Sequence, residues 1–124
     1  MSFLSILFGR DNTGITDTYN TGHPAVDEFF MRIHEDSDGT HLWCEHYRII
    51  RRTPKGVWLE VYDQKPKFVL ASGNGKRFAY ATRRDALHSF IKRKEWQESY
   101  AIHTINRAKA AKLIAQKLLK EEAQ

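Results

Sequence analysis

The run YRIIRRTPKGVWLEVY at residues 47–62 predicts a β-hairpin, and this hairpin decides the fold. Proline presets φ for the second position of a β-turn and glycine suits the fourth, so Pro54 and Gly56 place the turn at residues 53–56. The side chains after the turn alternate with a period of two, as expected of a strand with one buried face. Val57, Leu59 and Val61 form one set, and Trp58, Glu60 and Tyr62 form the other.

Further strands on both sides extend this hairpin into an antiparallel meander over residues 29–81. Turn-forming residues at 36–39 separate the first pair, and Asn74-Gly75, a dipeptide suited to a tight primed turn, separates the last pair. The predicted strands around the hairpin are residues 29–34, 42–52, 68–70 and 77–80.

Residues 1–28 are predicted to form an irregular arm. Gly, Pro, Asp, Asn and Thr dominate residues 9–28, and these residue types favour turns. The apolar run at residues 3–8 is far shorter than the roughly 20 residues of a membrane span, so it indicates an edge strand or packing arm. No membrane partner is expected.

Residues 82–122 are predicted to be helical. Thr82 can cap the helix, with Asp85 three residues later in the manner of a capping box. The sequence from Thr82 to the end contains neither Pro nor Gly, which allows one long helix or two with a bend near residues 96–99. The fold class is therefore α+β, in a single domain over residues 1–124. The end of so long a helical part has little sheet to pack on, so we expect a homo-oligomer formed through the C-terminal helices.

Composition and charge limit the function. The chain has 124 residues, is 41% hydrophobic and contains one cysteine, so a globular protein of a reducing cytoplasm is expected. Residues 1–47 carry a net charge of −6 and residues 48–124 a net charge of +11. The basic part indicates an anionic partner, or alternatively self-association of the acidic part with the basic part.

Residues 76–84 form the main candidate binding segment. Phe78 and Tyr80 lie on one strand face and could stack on a base, while Arg77, Arg83 and the helix N-terminus could bind phosphate. The alternative is that both aromatic residues belong to the core. Further candidate ligand-binding residues are Arg48 and Arg51 on the hairpin and His88, Lys92 and Arg93 on the helix.

Metal binding and catalysis are not expected. His41, Cys44 and His46 lie on one strand, where successive side chains alternate faces, and zinc sites normally use paired short spacings. The sequence also contains no nucleophile elbow and no phosphate-binding glycine loop. We therefore predict no cofactor, no metal and no enzymatic activity.

Residues 47–58 and the segments 76–82 and 86–94 resemble a family of small accessory proteins encoded by tailed bacteriophages, and the similarity covers residues 47 to about 115. Ala81 stands where that family often has proline before the capping threonine. The arrangement is similar to that of phage sponge proteins of the Thoeris anti-defence type. The resemblance implies an oligomer that sequesters cyclic nucleotide-derived immune signals, such as cyclised ADP-ribose isomers or cyclic oligonucleotides, without cleaving them.

Two other functions remain open from the sequence. A phage nucleic-acid-binding protein would use the basic hairpin and helix along a phosphate backbone, although Glu95, Glu98, Glu121 and Glu122 on the helix would oppose this. A protein-binding inhibitor of a host factor would use the acidic first 47 residues.

Overall fold

The computed structural model describes residues 14–23, 28–72 and 75–123. Within these residues it contains five strands and one helix, which is the expected α+β class, and the helical part is one long helix rather than two. The elements in chain order are β1 (Ile15–Asn20), β2 (Phe29–Glu35), β3 (Leu42–Arg52), β4 (Gly56–Leu59), β5 (Lys67–Leu70) and α1 (Arg83–Glu122).

The sheet is built around β3, the longest strand. Residues 42–47 of β3 pair in parallel with β1 and antiparallel with β2, so β1 and β2 lie on its two opposite edges. The C-terminal end of β3 pairs antiparallel with β4 after a register shift between Ile49 and Arg51, and β4 pairs with β5. The hairpin predicted at residues 53–56 is confirmed.

The structure differs from the sequence prediction in two places, one in the predicted arm and one in the predicted meander. The irregular arm predicted for residues 1–28 contains β1. Its sequence, ITDTYN, lacks the apolar alternation of a strand, and β1 is held in place by its pairing with β3. The strand predicted at residues 77–80 is reduced to one bridge, in which Met31 and Tyr80 exchange backbone hydrogen bonds of 2.6 and 2.8 Å. The apolar run at residues 3–8 and the turn at Asn74 lie outside the described residues.

The sheet buries side chains on both faces because neighbouring residues of β3 point to opposite sides. Tyr47 belongs to one buried cluster and Cys44 to another. The first cluster comprises Phe30, Tyr47, Val57, Leu59, Val61, Val69 and Ala79. The second comprises Ile33, Cys44, Ala86 and Phe90.

The start of α1 is fixed by its cap and by its packing. The Thr82 hydroxyl oxygen accepts a hydrogen bond from the Asp85 backbone N–H at 3.1 Å, as the sequence predicts. Ala86 and Phe90, four residues apart on one helix face, are buried in the second cluster. The chain divides into two compact units, the first ending at Phe90 and the second beginning at Ile91.

Candidate functional site

The outer face of β4 and its neighbours carries an exposed group of apolar and cationic side chains. Val57 and Leu59 of β4 are buried, so Trp58 between them points to the other face. Trp58 pairs across the sheet with Arg51 on one side and with Phe68 on the other. The strand alternation therefore brings three residues of different strands together on this face.

Contacts within this group orient the Trp58 ring. The guanidinium carbon of Arg51 lies 5.7 Å from the ring centroid, within cation–π range. The Phe68 ring lies 5.3 Å from it at 57°, and Phe68 is 40% exposed. The indole is half-buried, so its position is fixed while part of it remains accessible.

A cleft of about 480 Å³ opens beside this group and is lined by Ile50, Arg51, Trp58, Lys65 and Pro66. Its lining combines the apolar side chains of Ile50, Trp58 and Pro66 with two cations, Arg51 and Lys65. A flat aromatic ring can stack on the indole while the guanidinium of Arg51 binds an anionic oxygen pair. We name this group, the lining residues together with Phe68, the Trp58 face.

Gly56 lets β5 approach β4 closely at one end of the Trp58 face. A Cβ atom at Gly56 would lie 2.1 Å from the Val69 carbonyl oxygen and 2.9 Å from Cζ of Phe68. Any side chain here would collide with the backbone of β5. The glycine of the turn therefore also leaves the space that the Phe68 ring occupies.

Phe78 is used mainly in packing. It is half-buried against the first cluster, and its ring contacts the Tyr47 ring edge-on at 4.9 Å. Arg32 and Lys67 place cationic groups 5.1 and 4.8 Å from the Phe78 ring centroid. Arg32 also donates a hydrogen bond of 2.8 Å to the Phe78 carbonyl oxygen. These contacts agree with the alternative interpretation of the sequence, in which Phe78 belongs to the core.

Arg77 and Tyr80 contact each other, and Tyr80 does not share the packing environment of Phe78. The guanidinium carbon of Arg77 is 5.5 Å from the Tyr80 ring centroid. Tyr80 packs against the second cluster, whereas Phe78 packs against the first. The two aromatic residues predicted to form one stacking surface are therefore divided between two clusters.

Arg48 is held in an ion pair. Its Nε donates to Glu60 Oε1 at 2.9 Å, and the two side chains are 22% and 19% exposed. Thr21 donates a 2.6 Å hydrogen bond to the same carboxylate oxygen, and His23 lies 3.4 Å away. The Thr21 hydrogen bond, followed by those of Arg48 and His23, lowers the pKa of Glu60 from 4.5 to about 2 against the opposing effect of burial.

Arg83 faces the carboxylate of Asp17 at 3.9 Å, next to a cluster of potential metal ligands. The ligand atoms of Asp17, Cys44 and His46 lie within 4.8 Å of one another, because Asp17 of β1 pairs directly with Cys44. Tetrahedral zinc requires ligand atoms roughly 3.3–3.8 Å apart. Burial, followed by the charge of Asp17, raises the pKa of the Cys44 thiol. The cluster therefore places a thiol and an imidazole beside the Asp17–Arg83 ion pair.

The remaining predicted residues lie on α1. His88 is exposed in the first unit, while Lys92 and Arg93 belong to the second unit. Of the nine predicted ligand-binding residues, Arg51 is the one that lines the Trp58 face cleft. Trp58 and Lys65 were missed, although the alternation of residues 57–62 already placed Trp58 opposite the apolar set.

Two further clefts lie around Tyr19. One of about 620 Å³ includes Tyr19, Phe29, His46 and Arg52, and its rings pack on one another, with Tyr19 and His46 stacked at 4.4 Å. The other, of about 350 Å³, includes Glu45. Burial opposes ionisation of Glu45, but hydrogen bonds from Asn20 and Trp43 lower its pKa. Neither cleft combines an accessible aromatic ring with cations that have no ion pair among the described residues, as the Trp58 face does.

Comparisons with protein-family models, with curated proteins and with solved structures found no match. None of the helical residues that the structure describes forms a stretch long and apolar enough to cross a membrane.

Proposed function

We propose that the protein binds a small anionic, nucleotide-like ligand on the Trp58 face and sequesters it unchanged. The observation that carries this proposal is the Arg51 guanidinium over the Trp58 indole, with Lys65 on the same cleft. An aromatic side chain with one cation over its ring and a second cation on the same cleft matches a ligand that has a base and a phosphate.

The energies of these contacts are sufficient for specific binding. Stacking of a base on an aromatic side chain contributes about 1–3 kcal/mol, and a hydrogen bond to a charged group about 1.5–3 kcal/mol. The cleft volume of about 480 Å³ is within the range of small-molecule sites. One stacked base and two anion contacts thus total about 4–9 kcal/mol, which corresponds to dissociation constants from about millimolar to about micromolar.

The proposal extends to a biological role as a phage anti-defence sponge acting in the cytoplasm of an infected bacterium. The ligands would be cyclic nucleotide-derived immune signals, either cyclised ADP-ribose isomers or cyclic oligonucleotides. Two things support this extension: the resemblance of residues 47 to about 115 to phage accessory proteins, and the pairing of an aromatic plane with phosphate-binding cations.

Isothermal titration calorimetry with these cyclic nucleotides tests the binding. We expect Trp58→Ala and Arg51→Ala to weaken it about ten- to a hundredfold. The matched controls are Trp96→Ala, an exposed tryptophan of the second unit, and Arg52→Ala, whose guanidinium already pairs with Glu28. Equal losses in test and control variants would contradict the proposed site.

Recovery of the ligand tests sequestration. After incubation with catalytic amounts of protein and heat release, we expect the nucleotide to be recovered intact. A changed nucleotide would show turnover and reject the sponge role. Tight binding of duplex or single-stranded DNA with no cyclic-nucleotide binding would instead favour the nucleic-acid alternative.

We also propose that the protein is a homo-oligomer through α1. Large apolar side chains of the second unit are more than half exposed, including Trp96, Tyr100, Ile114 and Leu118. Such residues are normally covered in the native assembly. Light scattering at micromolar concentration should give a multiple of 14.5 kDa, and the monomer mass would contradict this.

A further inference from the structure

Four of the exposed apolar side chains of the second unit lie along one stripe of α1. Trp96, Tyr100, Ile114 and Leu118 are 58%, 66%, 62% and 55% exposed. At 3.6 residues per turn, these four positions fall within an arc of roughly 40° on the helix surface. Trp96 and Tyr100, one turn apart, already contact each other with ring centroids at 6.0 Å.

The stripe is symmetric about its midpoint. Arg107 lies at its middle, and Trp96 and Leu118 are equally far from Arg107 along the helix, as are Tyr100 and Ile114. If the helix is turned end for end about Arg107, each aromatic residue falls on an aliphatic one. The stripe is therefore complementary to itself in the antiparallel direction.

The charges at the two ends follow the same symmetry. Lys92 and Arg93 flank the stripe at its N-terminal end, and Glu121 and Glu122 flank it at its C-terminal end. The same end-for-end turn brings Lys92 opposite Glu122 and Arg93 opposite Glu121. A parallel arrangement would instead place cations against cations and carboxylates against carboxylates.

We propose that the partner of this stripe is a second copy of the chain, paired antiparallel with a two-fold axis at Arg107. This inference rests on the self-association proposed above and specifies its surface and register. A two-fold contact uses the same patch on both subunits, so a patch that is self-complementary about one residue is what such a contact requires. Trp96 then packs on Leu118 of the partner subunit, and Tyr100 packs on Ile114 of the partner subunit.

Two consequences follow for individual charges. The two copies of Arg107 meet at the axis, where their long side chains must extend sideways to solvent, so this position limits the stability of the pair. Lys92 and Arg93, predicted from the sequence to bind ligand phosphate, act in subunit pairing instead. Their removal should weaken assembly and leave the affinity of a nucleotide for the Trp58 face unchanged.

Cysteine cross-linking of the full chain tests the register. The natural cysteine, Cys44, is buried, so an introduced thiol on α1 is the reactive one. Arg107→Cys should form a disulfide-linked dimer under mild oxidation. Trp96→Cys should not link to itself, because two copies of residue 96 would lie roughly 33 Å apart at 1.5 Å per residue. A mixture of Trp96→Cys and Leu118→Cys chains should cross-link.

The outcomes separate the register from self-association. Linking of Trp96→Cys to itself, or a dimer by light scattering in which Arg107→Cys does not link, would overturn the antiparallel register and leave self-association standing. A monomer by light scattering would overturn both. As a second readout, Glu121→Lys with Glu122→Lys should weaken dimerisation about tenfold, and mixing with Lys92→Glu and Arg93→Glu chains should restore it.

Discussion

Trp58 and Phe78 show that aromatic side chains serve two purposes in the same small protein, the proposed ligand binding and core packing. Both are aromatic, half-buried and near a guanidinium group. Trp58 has a cleft beside it, whereas Phe78 has the Tyr47 ring and the first buried cluster. The difference decides which substitution alters binding and which alters stability.

Replacement of Phe78 by alanine should destabilise the fold. Removing a buried phenylalanine costs about 3–5 kcal/mol, and Phe78 is half-buried, so about 2–3 kcal/mol is expected. Urea unfolding measures this loss, and nucleotide affinity of the folded fraction should be unchanged. An unaltered midpoint together with lost affinity would return Phe78 to the binding site.

Glu60 should make stability depend on pH in the acidic range. Its folded-state pKa is lowered from 4.5 to about 2, so its contribution is complete above about pH 4.5 and is lost as the pH falls toward 2. A shift of this size corresponds to about 3 kcal/mol. Thermal melts from pH 2 to 7 should show this acid limb in the natural chain and a smaller one in Glu60→Gln. Equal slopes in both proteins would contradict the assignment.

At the scale of elements, β4 and β5 depend on one glycine. Gly56→Ala puts a methyl group 2.1 Å from the Val69 carbonyl oxygen, which the backbone cannot accommodate without moving the strands apart. We expect a loss of several kcal/mol in unfolding free energy and weaker nucleotide binding through displacement of Phe68. Gly75→Ala is the matched control, since a Cβ atom there meets nothing within 4 Å. Equal stability of the two variants would contradict this account.

The hairpin, β2, β3 and the helix start could be predicted because each depends on local chemistry. Pro54 and Gly56 determine a turn, and Thr82 caps the helix wherever the rest of the chain lies. β1 could not be predicted, because its six residues become a strand only by pairing with a distant one. Only part of the candidate site could be predicted. Arg51 could be identified from its charge, but its position over Trp58 depends on the register between β3 and β4, which local sequence does not determine.

For the whole molecule, the division of charge favours a small ligand over a long polyanion. The net charge is +5, but the first 47 residues are acidic and the helix carries four glutamates beyond residue 94. We expect the affinity for a cyclic nucleotide to fall less than about tenfold between 50 and 200 mM salt, since few phosphates are bound. A protein bound along DNA through six or more phosphates would lose roughly 10³–10⁵. Titrations at both salt concentrations distinguish these cases.

The parallel pairing of β1 with β3 also has a consequence for the order in which we expect the sheet to assemble and open. β2 and β3 are joined by a short turn, and so are β3 and β4, whereas β1 reaches β3 only after the chain has passed through β2. Closing the longer loop costs more chain entropy, so we expect β1 to dock last in folding and to detach first in native-state fluctuations. Amide hydrogen exchange should therefore be faster in β1 than at the centre of β3. A detached β1 leaves one edge of β3 open, which makes that edge the place where two partly unfolded molecules would first join.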